Sequence, residues 1–252
     1  MSYDGHYANV YDQIFHQEDM ARSTADFLGA LMPEHSAKAL ELGIGTGRVA
    51  LRLAAKGHPI VGVDASQGML DVLQEKLTEF DTSAVEVHLG DMATWEPLGE
   101  EKFELVYSVL GSIACLPTLD QQRAALIRAC ANVADEGHLV IESYNPPPLL
   151  RVFDQVPSFE ARAEYPHAAA QLHSLGKLDD NRLSVTLDHT WSDGGGDRNF
   201  LEQVHLIDPH IISSIVQENG LELSGLYGDW SRSPYDEFTT AMFVAAFKRT
   251  HT

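Results

Sequence analysis

Lys38-Ala39-Leu40-Glu41-Leu42-Gly43-Ile44-Gly45-Thr46-Gly47-Arg48 is the stretch that decides the fold. Lys38 to Leu42 is a short apolar run that reads as a strand, and it meets a cluster of alternating glycines. Arg48 to Lys56 then has helical composition, stopped by Gly57. Glycines between a strand and a helix let the backbone turn tightly and approach a ligand closely. The helix that follows offers unpaired N–H groups and the positive end of its dipole. The stretch is therefore read as a ligand-binding turn at the end of a buried strand.

Downstream, Pro59 to Val63 is a second buried-strand pattern, ended by Asp64. Ser66 is placed to cap a helix running through Phe80. Val85 to Leu89 is a third strand, followed by Gly90-Asp91, and Phe103 to Leu110 is a fourth. Leu119 to Val133 reads as a helix and His138 to Ser143 as a fifth strand. Strands alternating with helices predict a parallel sheet, doubly wound, with helices on both faces. Upstream, Tyr7 to Leu31 carries helical spacing and Pro33 ends it. Beyond Pro146-Pro147-Pro148 the pattern changes. Gln171 to Leu178, Arg182 to Trp191 and Asn199 to Ile207 read as strands joined by turns at Asp180-Asn181 and Gly194-Gly195-Gly196, an antiparallel meander. Pro209 opens a helix to Asn219 with Gly220 behind it, and Leu221 to Gly228 and Phe238 to Lys248 finish the chain as strands. The expected organisation is one domain over 1–252. Its parts are a helical cap (1–36), a core (37–148), an inserted meander (160–207), and a closing helix with strands (208–252).

The chain has 252 residues, with 17 basic and 37 acidic side chains and a formal net charge of -20. So acidic a surface repels phosphate backbones and anionic lipid, which argues against nucleic-acid and membrane partners. Cys115 and Cys130 supply neither a disulfide framework nor zinc spacing. Met1 to Val10 is polar, without the apolar core of a signal segment, and a cytoplasmic protein is expected.

Asp64 and Asp91 end the second and third strands, beside the glycine turn. Open α/β sheets bind ligands at these carboxyl ends, where Asp64 can accept hydrogen bonds from both hydroxyls of a ribose. Asp91 suits recognition of an adenine amino group. Taken together, Glu41-Leu42-Gly43-x-Gly45-x-Gly47, Val61-Gly62-Val63-Asp64-Ala65-Ser66 with Met69-Leu70, and Gly90-Asp91-Met92 resemble the motifs of the class I S-adenosylmethionine-dependent methyltransferases. The resemblance covers nearly the whole chain. It is closest to small-molecule N- and O-methyltransferases of the glycine N-methyltransferase and antibiotic amino-sugar type, through Tyr7-x-x-x-Tyr11-Asp12, Ser112-Ile113 and the meander. It implies a Rossmann-like, mostly parallel seven-stranded sheet with an antiparallel last strand and a β-meander lid.

The resemblance also implies S-adenosyl-L-methionine as cofactor, with S-adenosyl-L-homocysteine as product (EC 2.1.1.-). The acceptor would be a nitrogen or oxygen of a small molecule of secondary metabolism. Expected cofactor residues are Glu41, Gly43, Gly45, Gly47, Asp64, Ala65, Met69, Asp91, Met92, Ser108, Tyr11 and Arg22. Arg22 is the candidate for the methionine carboxylate, weighed against a solvated surface position. Substrate candidates are Tyr7, Ser112, Tyr144, Asn145 and Trp191, and catalytic candidates are Tyr11 and His205. Where related amino-sugar enzymes read Ser-Ile-Gly-His-Leu, this chain has Ser112-Ile113-Ala114-Cys115-Leu116, so that family's histidine base is not carried over. No metal is expected, because Asp179-Asp180-Asn181 reads as a plain turn. The assembly is expected to be a monomer or homodimer. Two other readings compete: a nicotinamide-dependent oxidoreductase, whose loop should read Gly-x-Gly-x-x-Gly, and a catalytically silent binder of S-adenosylmethionine.

Overall fold

The computed structural model describes residues 6–16, 18–33, 37–80, 83–97, 101–154 and 156–250. Of the expected cap, residues 1–5, 17 and 34–36 lie outside the described residues.

A seven-stranded sheet forms the centre. Its strands are β1 (Ala39–Leu42), β2 (Ile60–Asp64), β3 (Val85–Leu89), β4 (Phe103–Ser108), β5 (Val133–Tyr144), β10 (Leu221–Tyr227) and β11 (Met242–Arg249). They lie in the order β10-β11-β5-β4-β1-β2-β3. Pairings among β1 to β5 are parallel, and β11 runs antiparallel to both β5 and β10. Ala39 lies opposite Ile60 on one side and Leu105 on the other, which fixes the register of the central strands.

All four residues of β1 are buried, as expected for a parallel strand covered on both faces. Successive residues feed opposite faces. Leu40 and Leu42 pack with α5 (Leu119–Asn132) and α7 (Pro209–Glu218), whereas Ala39 packs with α2 (Glu18–Gly29), α3 (Ala50–Ala55) and α4 (Gln67–Phe80). Ser66 caps α4 as expected, its Oγ accepting from Met69 N at 3.2 Å.

Four features depart from the sequence reading. The helix expected over Tyr7 to Leu31 is two helices, α1 (His6–Ile14) and α2, broken around Phe15 and His16. The proline run opens a helix, α6 (Pro146–Phe153), because proline at the first helical positions gives up an N–H that has no partner there anyway. The meander has four strands, β6 (Ser158–Tyr165), β7 (Ala170–Leu178), β8 (Ser184–Asp193) and β9 (Gly196–His205), in that order. β6 is an exposed edge strand whose alternating Phe159, Ala161, Ala163 and Tyr165 were legible as a strand, although two of the four are only alanines. The last strand starts at Met242, four residues after the expected Phe238, because the Asp236 carboxylate accepts from the N–H groups of Phe238 and Thr239 and folds that segment into a turn.

The meander does not sit apart from the core. Tyr7, Ala8 and Val10 of α1 pack with Met69 of α4 and with Ala170, Leu172, Trp191 and Phe200 of the meander. Tyr7 stacks on Phe200 with ring centroids 4.2 Å apart. Helix α1 and the meander together roof the carboxyl ends of the central strands.

Candidate active site

A cavity of about 340 Å³ opens beneath this roof. The core lines it with Gly43 and Gly45 of the glycine turn, Asp64, Ala65 and Met69 after β2, and Asp91 and Met92 after β3. Ser112 and Tyr144, from beyond β4 and the end of β5, line it as well, and α1 contributes Tyr7 and Tyr11. All of these were singled out from the sequence, and the fold brings them together from separate segments of the chain.

The glycine turn owes its shape to backbone contacts that only glycine permits. Gly43 has φ +82°, and a Cβ there would meet Ser112 Cβ at 2.7 Å. Gly45 has φ +53° with no atom within 4 Å of a would-be Cβ, so the chain leaves open space on the side that faces the cavity. Asp64 ties the turn to β2: its Oδ2 accepts from Gly45 N at 2.8 Å and its Oδ1 from Ser66 N at 2.9 Å. Burial pushes its carboxyl above the ordinary value, and those N–H bonds oppose the push. Asp91 is fixed by Ala93 N, which donates to Oδ1 at 2.8 Å.

Glu41 lies one layer below, buried under the turn, where Tyr107 OH donates to its Oε2 at 2.9 Å. Burial raises its carboxyl to about 8, partly offset by the Tyr107 hydrogen bond. Glu41 therefore orders the floor of the site and does not line it. Gly47, at φ +78°, faces α4, where a Cβ would meet Leu73 Cδ1 at 2.4 Å; it too serves packing. Ser108 is fully buried in β4 and outside the cavity lining.

Four other candidates also stand away from the cavity. Arg22 pairs with Asp19 on the surface, its side chain 66% exposed. Asn145 is fully buried, and its Nδ2 donates to the carbonyls of Glu237 and Thr240, both at 2.8 Å, so it ties down the segment before β11. Trp191 is fully buried in the meander, with Nε1 donating to Asp193 Oδ2 at 3.0 Å. His205 is held at its carbonyl by Gln122 Nε2, 2.9 Å away, while its ring lies outside the lining and burial keeps the imidazole below its usual pKa.

Tyr11 reaches the cavity, and burial raises its hydroxyl far above its ordinary value. It enters the site as a neutral hydroxyl and not as a phenolate. The neighbouring Asp12 fastens α1 to the glycine turn: Thr46 Oγ1 donates to its Oδ1 at 2.6 Å, and Lys76 pairs with its Oδ2. Lys76 Nζ donates to the Thr46 carbonyl at 2.8 Å, closing the triangle.

The sequence reading assigned no role to Leu110, Gln121 or Glu202, although all three line the cavity. Glu202 had a readable signal. In β9, Phe200, Glu202 and Val204 alternate inward while Leu201 and Gln203 face out, so a carboxylate holds an inward position between apolar residues. Among the described residues no group of three or more His, Cys, Asp or Glu side chains is arranged to hold a metal ion.

Comparison with known proteins accords with this geometry. Residues 39–137 match the methyltransferase domain family. The cypemycin N-terminal methyltransferase of a Streptomyces species is 23% identical over 244 residues, 96% of each chain. A stretch of 78 residues is 36% identical to YqeM of Bacillus subtilis (strain 168), whose name assigns it to the methyltransferases; the match spans 31% of this chain and 30% of that one. Among solved structures, the CcbJ methyltransferase of Streptomyces caelestis superposes with a TM-score of 0.83 at 25% identity, covering 100% of this chain and 99% of that one. CalS10, an amino pentose methyltransferase from Micromonospora echinaspora, has a TM-score of 0.70 at 21% identity and 99% coverage of both chains, a likeness of fold. The domain match falls on the segment that carries Glu41, the glycine turn, Asp64 and Asp91, and it displaces the nicotinamide reading. Residues 39–137 form a methyltransferase domain, and the chain is similar over its full length to the CcbJ methyltransferase; both support a class I S-adenosylmethionine-dependent methyltransferase.

Proposed function

We propose that this protein transfers a methyl group to a nitrogen or oxygen of a small molecule of the natural-product type. The observation that carries the reading is the concave form of the site: a cavity of about 340 Å³, roofed by α1 and the meander, with no Lys, Arg or His among its described lining residues. Polymer substrates need an open, charge-matched groove, whereas small molecules are held in concave, largely apolar pockets. The likeness to CalS10, an amino pentose methyltransferase, supports the same reading.

The residues present suit the cofactor. Gly43 and Gly45 would admit its backbone-facing part, Asp64 its ribose hydroxyls and Asp91 its adenine amino group. When bound, the cofactor supplies a methyl group made electrophilic by a positively charged sulfur. The chain's own part is to hold the acceptor atom in line with that methyl group and to exclude water. Tyr7, Tyr11 and Phe15 line the cavity from the α1 side, and Tyr144 and Ser112 line it from the core.

Incubation with labelled cofactor and a panel of small amines and alcohols, beside RNA, DNA and bulk protein, tests the reading. Label should enter a small molecule and leave the polymers blank. Stoichiometric labelling of a polymer would overturn it. Cofactor binding without turnover of any acceptor would favour the catalytically silent binder.

A further inference from the structure

The roof brings one charged side chain into the cavity, and it comes from the meander. Glu202, on β9, is 9% exposed, and it lines the cavity together with Tyr7, Tyr11 and Tyr144. Behind it, His189 Nε2 lies 3.5 Å from Glu202 Oε2, and His189 Nδ1 is 2.8 Å from Ser174 Oγ. The His189 ring also stacks on Phe200, with centroids 4.9 Å apart. The carboxylate thus sits buried beside an imidazole that is itself seated on Ser174 and Phe200, unlike a solvated surface acid.

The charge of the lining points to what this carboxylate meets. The described lining residues include three acids, Asp64, Asp91 and Glu202, and no Lys, Arg or His. Asp64 and Asp91 stand at strand ends on the cofactor side. Glu202 belongs to the roof, among aromatic rings. An anionic acceptor would be repelled there. A cation between a carboxylate and ring faces gains both Coulombic and cation–π attraction, and each is stronger away from bulk water. The tyrosine hydroxyls add neutral acceptors, since burial keeps Tyr7, Tyr11 and Tyr144 protonated.

We propose that Glu202 is the acceptor-binding residue of this site, and that the methyl acceptor is an amine that binds as its ammonium ion between the Glu202 carboxylate and the rings of Tyr7, Tyr11 and Tyr144, gives one proton to that carboxylate, and then takes the methyl group on the freed nitrogen lone pair. The proposal rests on the methyltransferase reading above and narrows its acceptor from nitrogen or oxygen to an amine. His189 and Ser174 are positioning residues, which hold the carboxylate toward the cavity.

Calorimetry on the protein saturated with S-adenosylhomocysteine tests it, with benzylammonium and its neutral isostere benzyl alcohol as probes. Benzylammonium is expected to bind, with the alcohol weaker by roughly tenfold or more. Glu202→Gln should abolish that discrimination while leaving S-adenosylhomocysteine affinity within about twofold, since a neutral amide keeps the shape and loses the charge. Four results overturn the proposal: no binding of benzylammonium, equal binding of the two probes by the wild type, unchanged discrimination in Glu202→Gln, or loss of S-adenosylhomocysteine binding by a folded Glu202→Gln. The last would hand Glu202 to the cofactor. Should Glu202→Gln melt below the assay temperature, Glu202→Asp takes its place: a withdrawn charge should weaken benzylammonium several-fold and leave benzyl alcohol alone, and equal loss of both probes refutes the idea. Failure of the wild type to bind S-adenosylhomocysteine at all would instead sink the methyltransferase reading beneath it.

Discussion

Leu110 N donates to Glu142 Oε2 at 2.6 Å, and this bond holds the turn that leaves β4 and enters the cavity. Leu110 has φ +54°, an uncommon conformation for a residue with a side chain, and Gly111 follows at φ +71°. The other Glu142 oxygen accepts from Trp230 Nε1 at 2.8 Å. One buried carboxylate thus joins the cavity turn to the segment between β10 and β11. Glu142→Ala strands two buried N–H groups and should destabilise the protein by about 2–4 kcal/mol. Denaturant unfolding checks this, and an unchanged midpoint would refute it.

Glu41 carries a pH prediction. Its carboxyl is raised from near 4.5 to about 8 in the folded protein. The folded state therefore holds a proton that the unfolded state releases. The associated stability is fully present below pH 4.5 and is lost as pH rises through about 8. Glu41→Gln copies the protonated form and should remove this decline. Wild type minus variant stability should fall between pH 5 and pH 8, by up to about 1.4 kcal/mol for each pH unit crossed. A difference that is flat in pH would contradict the assignment.

Asp64 should matter to the cofactor before it matters to stability. Its carboxylate holds Gly45 and faces the cavity. Asp64→Ala is expected to weaken S-adenosylmethionine binding by roughly 2 kcal/mol or more. Calorimetry would show this, and NAD should bind neither protein.

Asp12 joins the roof to the glycine turn. Asp12→Ala breaks its bond to Thr46 and its pairing with Lys76. The expected result is roughly tenfold faster cofactor release, about 1.4 kcal/mol, from removal of charge-assisted hydrogen bonds. Stopped-flow displacement measures it directly. A release rate equal to wild type would make the contact incidental.

Trp191 belongs to the meander's own core, so Trp191→Ala should act on stability and not on acceptor affinity. A fully buried Trp replaced by Ala costs about 3–5 kcal/mol. A folded variant with wild-type stability but altered acceptor affinity would return Trp191 to the site.

The parallel core was legible because buried parallel strands are continuous apolar runs, and each of β1, β2 and β3 ends in or is followed by a glycine turn or an aspartate that lines the cavity. The strand-end residues Gly43, Gly45, Asp64 and Asp91 could be read for the same reason: loop chemistry at a sheet's carboxyl edge is local in sequence. The roof was harder. Glu202 acquires its meaning from β8 and α1, elements distant in sequence, and it was passed over although its alternation with Phe200 and Val204 was visible. Trp191 and Asn145 were attractive as residue types, yet their polar atoms are spent on Asp193 and on the backbone of Glu237 and Thr240. Side-chain identity names what a residue can do; partners decide what it does.

The sheet order has a consequence for biosynthesis. β11 lies between β5 and β10, yet it is made after both. Until β11 is in place, one edge of β5 stays open and β10, which pairs with β11 alone, has no partner strand. Exposed edges are templates for mispairing with other chains. Completion of this sheet thus waits for β11, and a chain cut short before Met242 should collect in inclusion bodies even though the glycine turn, Asp64 and Asp91 have already been synthesised.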